Sequence, residues 1–268
     1  MTSDDTVSNS EYGTPKAFFR RQERGRFRDV SVNNNSNRVF FADDILSLIY
    51  VCDMTNHTLL FTVSNSISYP VAIHAKSDVV IVSNFTSKQI TFYTLEGDLI
   101  STYSVVGPIH DLTIDSRGGL NMCSWRPDCV IEIDDSEKCQ IGRTWLSYPS
   151  RITSNDDFIF VLDSSKYCCH IIKDRIIQKS ILCSFPRDVS QVKLPVGMCL
   201  DNSGNIVISN SGDGSIMIFN QEGICLKTID CAGSYGKCVL KSIKSIDISS
   251  KGELIVACPI NGYCGYVI

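Results

Sequence analysis

The chain has 268 residues, of which 43% are hydrophobic and 20% charged, and a formal net charge of −4. This balance excludes a disordered polar chain and bulk electrostatic attraction to nucleic acid, though not a local basic face, and the length suits one large all-β domain or two ordinary ones. No apolar run is long enough to cross a membrane as a helix, and the polar, acidic start MTSDDTVSNS does not read as a signal peptide, so a cytoplasmic protein is expected.

Residues 1–14 are rich in Ser, Asp and Thr and read as a disordered tail; residues 15–268 read as one domain. A lone strand-like run, KAFFRRQ, occupies 16–22. The first full unit follows, with strands at 29–32, 38–42, 48–52 and 58–63. The second opens after Tyr69-Pro70 with VAIHA, DVVIVSN, QITFYTL and DLISTYS. The third opens after Gly107-Pro108 with HDLTID, GLNMCSW, CVIEID and QIGRTWL. The fourth opens after Tyr148-Pro149 with SRITS, FIFVLD, CCHII and RIIQKSIL. The fifth, after Leu194-Pro195, is the most legible: PVGMCLDNSGNIVISNSGDGSIMIFNQEGICLKTI. The sixth begins near Lys244 with KSIDIS, ELIVAC and YCGYVI, and stops one strand short.

Each run is too short for a helix and is bounded by Gly, Asn, Asp or Ser, so runs read as strands and gaps as tight turns. Four strands repeating at a period of about 40 residues are the signature of a β-propeller. The expected fold is all-β: a six-bladed propeller of four-stranded antiparallel blades, in which residues 16–22 supply the outer strand that the sixth unit lacks. Pairing the two ends of the chain would close the ring and remove open sheet edges.

The 13 cysteines are odd in number and several lie inside strand runs, so buried reduced thiols are expected. No C-x2-C pair is present. Cys168-Cys169-His170 is the one dense cluster, and neighbours in a strand point to opposite faces, so no metal and no cofactor are expected.

The fifth unit resembles the NHL repeat. Pro195, Asp201, Gly204, Ser209-Asn210, Gly212, Ile216, Phe219 and Gly223 occupy the places of that family's pattern. Ala42-Asp43, Leu162-Asp163, Asp115, Gly118 and Gly97 repeat parts of it elsewhere. The family often carries a basic residue before the third strand, whereas Gln89, Val130, Cys169 and Ser215 stand there in this chain. The resemblance implies a recognition domain like the C-terminal propeller of tripartite-motif NHL proteins, which binds RNA or protein targets while a separate RING supplies ubiquitin-ligase activity. No RING-like cysteine spacing occurs in this sequence. The resemblance also extends to lyases and lactone hydrolases, whose activity would lie in a metal-dependent site in the central channel.

In a propeller, the loops from fourth to first strand and from second to third strand share one face, here called upper. The lower loops collect acids, among them Glu96, Asp115, Asp156, Asp157 and Asp201, with few cations expected to oppose them. The upper loops collect Arg28, Arg126, Arg151, Lys166 and Arg187 beside Tyr69, Phe85, Trp125, Tyr148 and Tyr167, with Asn84 at a second-strand end. Rings that stack bases beside cations that hold phosphates bind single-stranded RNA, and aromatics with Arg also make protein-interaction hot spots. These eleven residues are the expected RNA- or partner-binding set of a non-catalytic, monomeric propeller. Asp43, Asn84, Asp163 and Asn210 recur at equivalent places and read as Asx turns that shape each loop. His110-Asp111 at the channel mouth reads as a capping or solvated pair rather than an acid–base pair.

Overall fold

A computed structural model describes residues 16–20, 25–134, 138–183, 194–211, 214–230, 242–258 and 263–267. The expected tail at 1–14 lies outside the described residues. The described elements are all strands. β1 (Lys16–Arg20) precedes a first blade of β2 (Phe27–Asn33), β3 (Arg38–Asp43), β4 (Leu48–Asp53) and β5 (Thr58–Val63). The second blade is β6 (Pro70–Lys76), β7 (Val79–Asn84), β8 (Gln89–Thr94) and β9 (Leu99–Ser104). The third is β10 (Ile109–Ile114), β11 (Leu120–Ser124), β12 (Cys129–Ile133) and β13 (Lys138–Ile141). The fourth is β14 (Pro149–Ser154), β15 (Ile159–Asp163), β16 (Cys168–Lys173) and β17 (Ile176–Leu182). The fifth is β18 (Pro195–Leu200), β19 (Ile206–Asn210), β20 (Ser215–Phe219) and β21 (Cys225–Asp230).

These five sheets each use four consecutive, antiparallel strands. The remaining four-stranded sheet is composite: β22 (Ser245–Ile248), β23 (Leu254–Ala257) and β24 (Tyr263–Val267) are joined by β1 from the other end of the chain. β1 and β24 are antiparallel, with Lys16 opposite Val267 and Phe19 opposite Cys264. The chain is a β-propeller, and this composite sheet is called the closing blade below.

The core lies between blades. A four-stranded sheet has two apolar faces and must bury both. Phe160, Leu162 and Cys169 of blade four therefore pack on Met198, Ile206 and Ile208 of blade five. Cys199, Val207 and Ile216 of blade five pack on Ile246, Leu254 and Val256 of the closing blade. Ile255 and Ala257 of the closing blade pack on Val30, Val39 and Phe41 of blade one. The seam between blades one and two, and those flanking blade three, are filled in the same way.

Turn chemistry follows the sequence. Asp43 Oδ1 accepts hydrogen bonds from the backbone N–H of Ile45 and Leu46, and the carboxylate of Asp163 from those of Ser147 and Tyr148. In the lower loops Asp115 Oδ1 accepts from Arg117 and Gly119, and Asp201 Oδ1 from Ser203 and Asn205. These carboxylates shape loops.

The lower face is not the nearly unopposed acidic surface expected. Arg38 pairs with Glu96 at 3.2 Å, Lys173 with Asp157 at 3.1 Å and Arg175 with Glu132 at 2.8 Å. Arg38 and Lys173 come from strand ends and Arg175 from the turn between β16 and β17.

Thiols are mostly buried, and Cys225 is an exposed exception. Burial pushes Cys52 and Cys183 up to about 12, so they stay protonated. Cys168 Sγ lies 3.3 Å from His170 Nε2 on one face of β16, while Cys169 turns to Met198 on the other. Among the described residues no group of three or more His, Cys, Asp or Glu could hold a metal ion. No helix among them is long and apolar enough to cross a membrane.

Candidate functional site at the upper mouth of the channel

The site begins with an irregularity repeated in the innermost strands. In β2 the register against β3 shifts between Phe27 and Asp29, and β6, β10, β14 and β18 shift at the same place. Each β-bulge leaves one residue out of the ladder. The residues left out are Arg28, Val71, His110, Ser150 and Val196. Lys244, immediately before β22, takes the corresponding place in the closing blade, where its N–H donates to Ala257 O. All six line one cavity of about 530 Å3 at the upper end of the channel. A bulge thus re-aims one side chain toward the axis in each of blades one to five.

A second lobe of about 350 Å3 adjoins it and shares Arg28, Val71, His110 and Tyr148. Tyr69, Phe85, Thr86 and Trp125 complete that lobe. Its rings contact one another: His110 lies 5.2 Å from Tyr148 and 5.9 Å from Trp125, and Tyr69 lies 5.9 Å from Phe85. Arg126 covers Trp125, its guanidinium carbon 4.7 Å from the ring centroid. The mouth is therefore lopsided. Arg28 and Lys244 bring charge from neighbouring blades one and closing, and the rings come from blades two, three and four.

Residues one step along the inner strands form the floor. Arg151 is buried, and its guanidinium crosses the axis from blade four. Nη1 lies 3.0 Å from Asp29 Oδ1 and 3.7 Å from Asp111 Oδ1; Nε donates to Val196 O at 2.7 Å and Nη2 to Lys244 O. Nearby carboxylates hold blades together by accepting from the next inner strand. Asp29 takes the N–H of Ile73, Asp111 that of Ile152 and Asp247 that of Val32. Burial holds Asp111 above the usual carboxylate range although Arg151 is near, and Asp29 pushes in the same direction.

Charge at the mouth is positive. Arg28 and Lys244 form no ion pair among the described residues. Burial lowers the Lys244 pKa, and Arg28, Arg26 and Arg151 lower it further, against Asp44. His110 is pushed down to about 4, first by burial and then by Arg28 and Arg151, so its imidazole is neutral at pH 7. Its buried Nε2 makes no hydrogen bond.

The structure brings together Arg28, Tyr69, Phe85, Trp125, Tyr148 and Tyr167 of the expected binding set in these two lobes, with Arg126 at the rim. Three expectations are corrected. Asn84 is buried: its Oδ1 accepts from Ser68 N in the loop before β6 and its Nδ2 donates to Thr91 Oγ1 in β8, so both ends are spent on internal partners. Arg151 lines the cavity floor, but its donors are consumed by internal partners, which makes it a structural pin rather than a phosphate ligand. Lys166 folds back, its Nζ donating to Trp145 O. Arg187 lies outside the described residues. Sequence reading missed Lys244 and placed His110 outside the binding set, because a bulge is invisible to strand alternation. A usable signal existed: in blades two, four and five the residue after the opening Pro of the inner strand is the one that reaches the mouth.

No protein-family model matches the sequence, and no curated protein sequence matches it. Solved structures do share the fold. A streptogramin B lyase superposes with a TM-score of 0.69 at 12% identity, covering 95% of this chain and 97% of the lyase. The WD40 β-propeller domain of Doa1 gives 0.66 at 13% identity, over 90% and 77% of the respective chains. A catalytically inactive virginiamycin B lyase from Staphylococcus aureus, with quinupristin, gives 0.66 at 14% identity, over 91% and 81%. At these identities the likeness is one of fold.

Proposed function

We propose that this propeller is a non-catalytic recognition domain that binds single-stranded RNA at the upper mouth of its channel. One observation carries the reading: Arg28 and Lys244, cations with no ion pair among the described residues, share the mouth with the rings of Tyr69, Phe85, Trp125 and Tyr148. Stacking on such rings tolerates many bases, and cations at the same mouth attract the backbone. Arg126 over Trp125 extends the surface outward. The NHL-like residues of the fifth blade, Pro195, Asp201, Gly204 and Phe219, support the further reading of a cytoplasmic target-binding module in a ubiquitin-ligase system, its RING supplied from elsewhere.

The test is ultraviolet crosslinking and pull-down from cytosol, with and without RNase, comparing wild type with Trp125→Ala/Arg126→Ala. RNA should crosslink to wild type and be lost from the double variant, and affinity should fall as salt rises. Capture of a protein that survives RNase and depends on the same pair would assign the face to a protein partner instead. Because the fold is shared with a streptogramin B lyase, the same preparation should be assayed for turnover of a streptogramin B; activity lost in His110→Ala would make the mouth an active site.

A further inference from the structure

We infer that the channel mouth holds one nucleotide unit of the RNA, its base among the rings of blades two to four and its phosphate between Arg28 and Lys244. This rests on the RNA reading above and states what enters the mouth.

The mouth is asymmetric. The bulged positions would give a propeller of identical blades a uniform ring. Here they are Arg28, Val71, His110, Ser150 and Val196, and in the closing blade Lys244, which precedes β22 without a bulge, faces the same cavity. The two cations fall side by side across the seam between the closing blade and blade one. Opposite them His110 presents an imidazole backed by Tyr148 at 5.2 Å and Trp125 at 5.9 Å. The two lobes are contiguous, sharing Arg28, Val71, His110 and Tyr148, as base and phosphate are contiguous in one nucleotide. Volumes of about 530 and about 350 Å3 fall in the range of small-ligand sites.

Charge sets the sign of the ligand. Acids around the axis are engaged elsewhere: Asp29 accepts from Arg151 and Ile73 N, Asp111 from Ile152 N, and Asp44 pairs with Arg26. Arg28 and Lys244 are left to repel each other, and an anion between them relieves that repulsion. The floor sets the depth. Arg151 closes the channel beneath the cavity, so a strand cannot thread through and a unit must enter and leave by the mouth. The buried Nε2 of His110 offers an unsatisfied hydrogen-bonding atom of the kind a bound group can complete.

Calorimetric titration of the whole protein with uridine monophosphate, uridine and inorganic phosphate tests this. The monophosphate should bind at least about tenfold more tightly than either part alone, since both lobes are filled at once. Arg28→Met and Lys244→Met should each weaken the monophosphate by roughly tenfold, the worth of one charge-assisted contact, and leave uridine within about twofold. Tyr148→Leu should weaken uridine and the monophosphate together. Melting curves confirm that each variant is folded. The inference is overturned if folded wild type does not bind the monophosphate at millimolar concentration, or binds it no better than phosphate. It is overturned equally if both cation variants bind it as wild type does, or if an acidic tyrosine-containing peptide occupies the mouth and the monophosphate does not. RNA crosslinking through Trp125 and Arg126 without monophosphate binding sinks this inference alone; monophosphate binding without RNA capture sinks the RNA reading.

Discussion

The guanidinium of Arg151 meets Asp29 at 3.0 Å and Asp111 at 3.7 Å with its side chain 8% exposed, and two backbone carbonyls take its remaining reach. A buried pair of this kind is not a large net stabiliser, but removing one member leaves the other charged and unpaired. Arg151→Met should therefore cost on the order of 3–5 kcal/mol in urea unfolding. Adding Asp29→Asn should recover part of that loss, because the two sites are coupled; strictly additive effects would refute the pin. Asp247 gives a pH prediction. Burial pushes it up to about 7, hydrogen bonds from Val32 and Ile248 oppose this, and Asp29 adds to it. Its folded pKa lies above the unfolded value of about 3.9, so its contribution is complete below that value and is lost as pH rises through about 7. Asp247→Asn does not ionise. Its stability relative to wild type should climb between about pH 4 and 7 and level off above, and a difference flat across that window would contradict the assignment. His74 and His110, both pushed down to about 4, run the opposite way: their contribution is lost as pH falls from about 6.5 toward 4. The variant-minus-wild-type comparison isolates the carboxylate from them. None of these couplings was legible in the sequence. Arg151 read as an upper-face cation because it opens its strand beside the Tyr148-Pro149 loop, and only the ring geometry turns it inward.

At the scale of the strand, much more was legible. Alternating apolar runs bounded by Asn, Asp and Gly located the strands of the five consecutive-strand blades, because turn chemistry is local and each loop carries its own donors and acceptors. The exception is the outer strand of blade three, expected at 140–146 and found at Lys138–Ile141. The bulges in the inner strands of blades one to five were not legible, since they depend on how the strand meets its neighbour and on the crowding near the axis. Gly197 shows that crowding. It sits just past the bulge of β18, at the position held by Asp29 in blade one and Arg151 in blade four. A Cβ there would come within 2.5 Å of Ser209 Oγ and 3.1 Å of Ile246 N in the closing blade. The serine hydroxyl can turn away; the backbone of β22 cannot without opening the seam filled by Cys199, Val207 and Ile246. Gly197→Ala should cost about 1–3 kcal/mol by overpacking, against a few tenths for an alanine on an exposed strand. A neutral result in thermal melts would show that the seam between blade five and the closing blade is looser than its contacts imply. The same position explains why blade five, the clearest copy of the repeat, contributes so little to the site: its axial residues are Val196 and Gly197, and the functional groups sit on the divergent blades.

At the scale of the molecule, the question is what closes the circle. Blades one to five follow one another in sequence, so each seam between them joins neighbouring stretches of the chain. The seam between the closing blade and blade one joins residues more than 200 positions apart, and two separate contacts secure it. Near the axis, Ile255 and Ala257 pack on Val30, Val39 and Phe41, and Asp247 accepts the N–H of Val32 at 2.7 Å. At the rim, β1 pairs with β24 over the span from Lys16–Val267 to Arg20–Tyr263. Only the second depends on the start of the chain. Deleting residues 1–22 should therefore leave the ring folded but open at its rim, with the edge of β24 unpaired and prone to pair with other chains. The expected result is a fall in Tm of upwards of about 5 °C, the shift that a loss of about 2 kcal/mol produces in a chain of this size. Soluble yield should fall, and larger species should appear in sedimentation. A peptide of residues 1–22 added in trans should restore part of the Tm, because strand addition to an exposed edge needs only the backbone ladder and a matching register. If the truncated chain melts and sediments like the intact one, the axial contacts alone hold the seam, and the β1–β24 pairing is dispensable. If the truncated chain does not fold even with the peptide present, the rim pairing is instead required before the axial seam can form. The peptide arm separates these outcomes, because it changes the stability of the finished ring without altering the covalent order in which the blades are made.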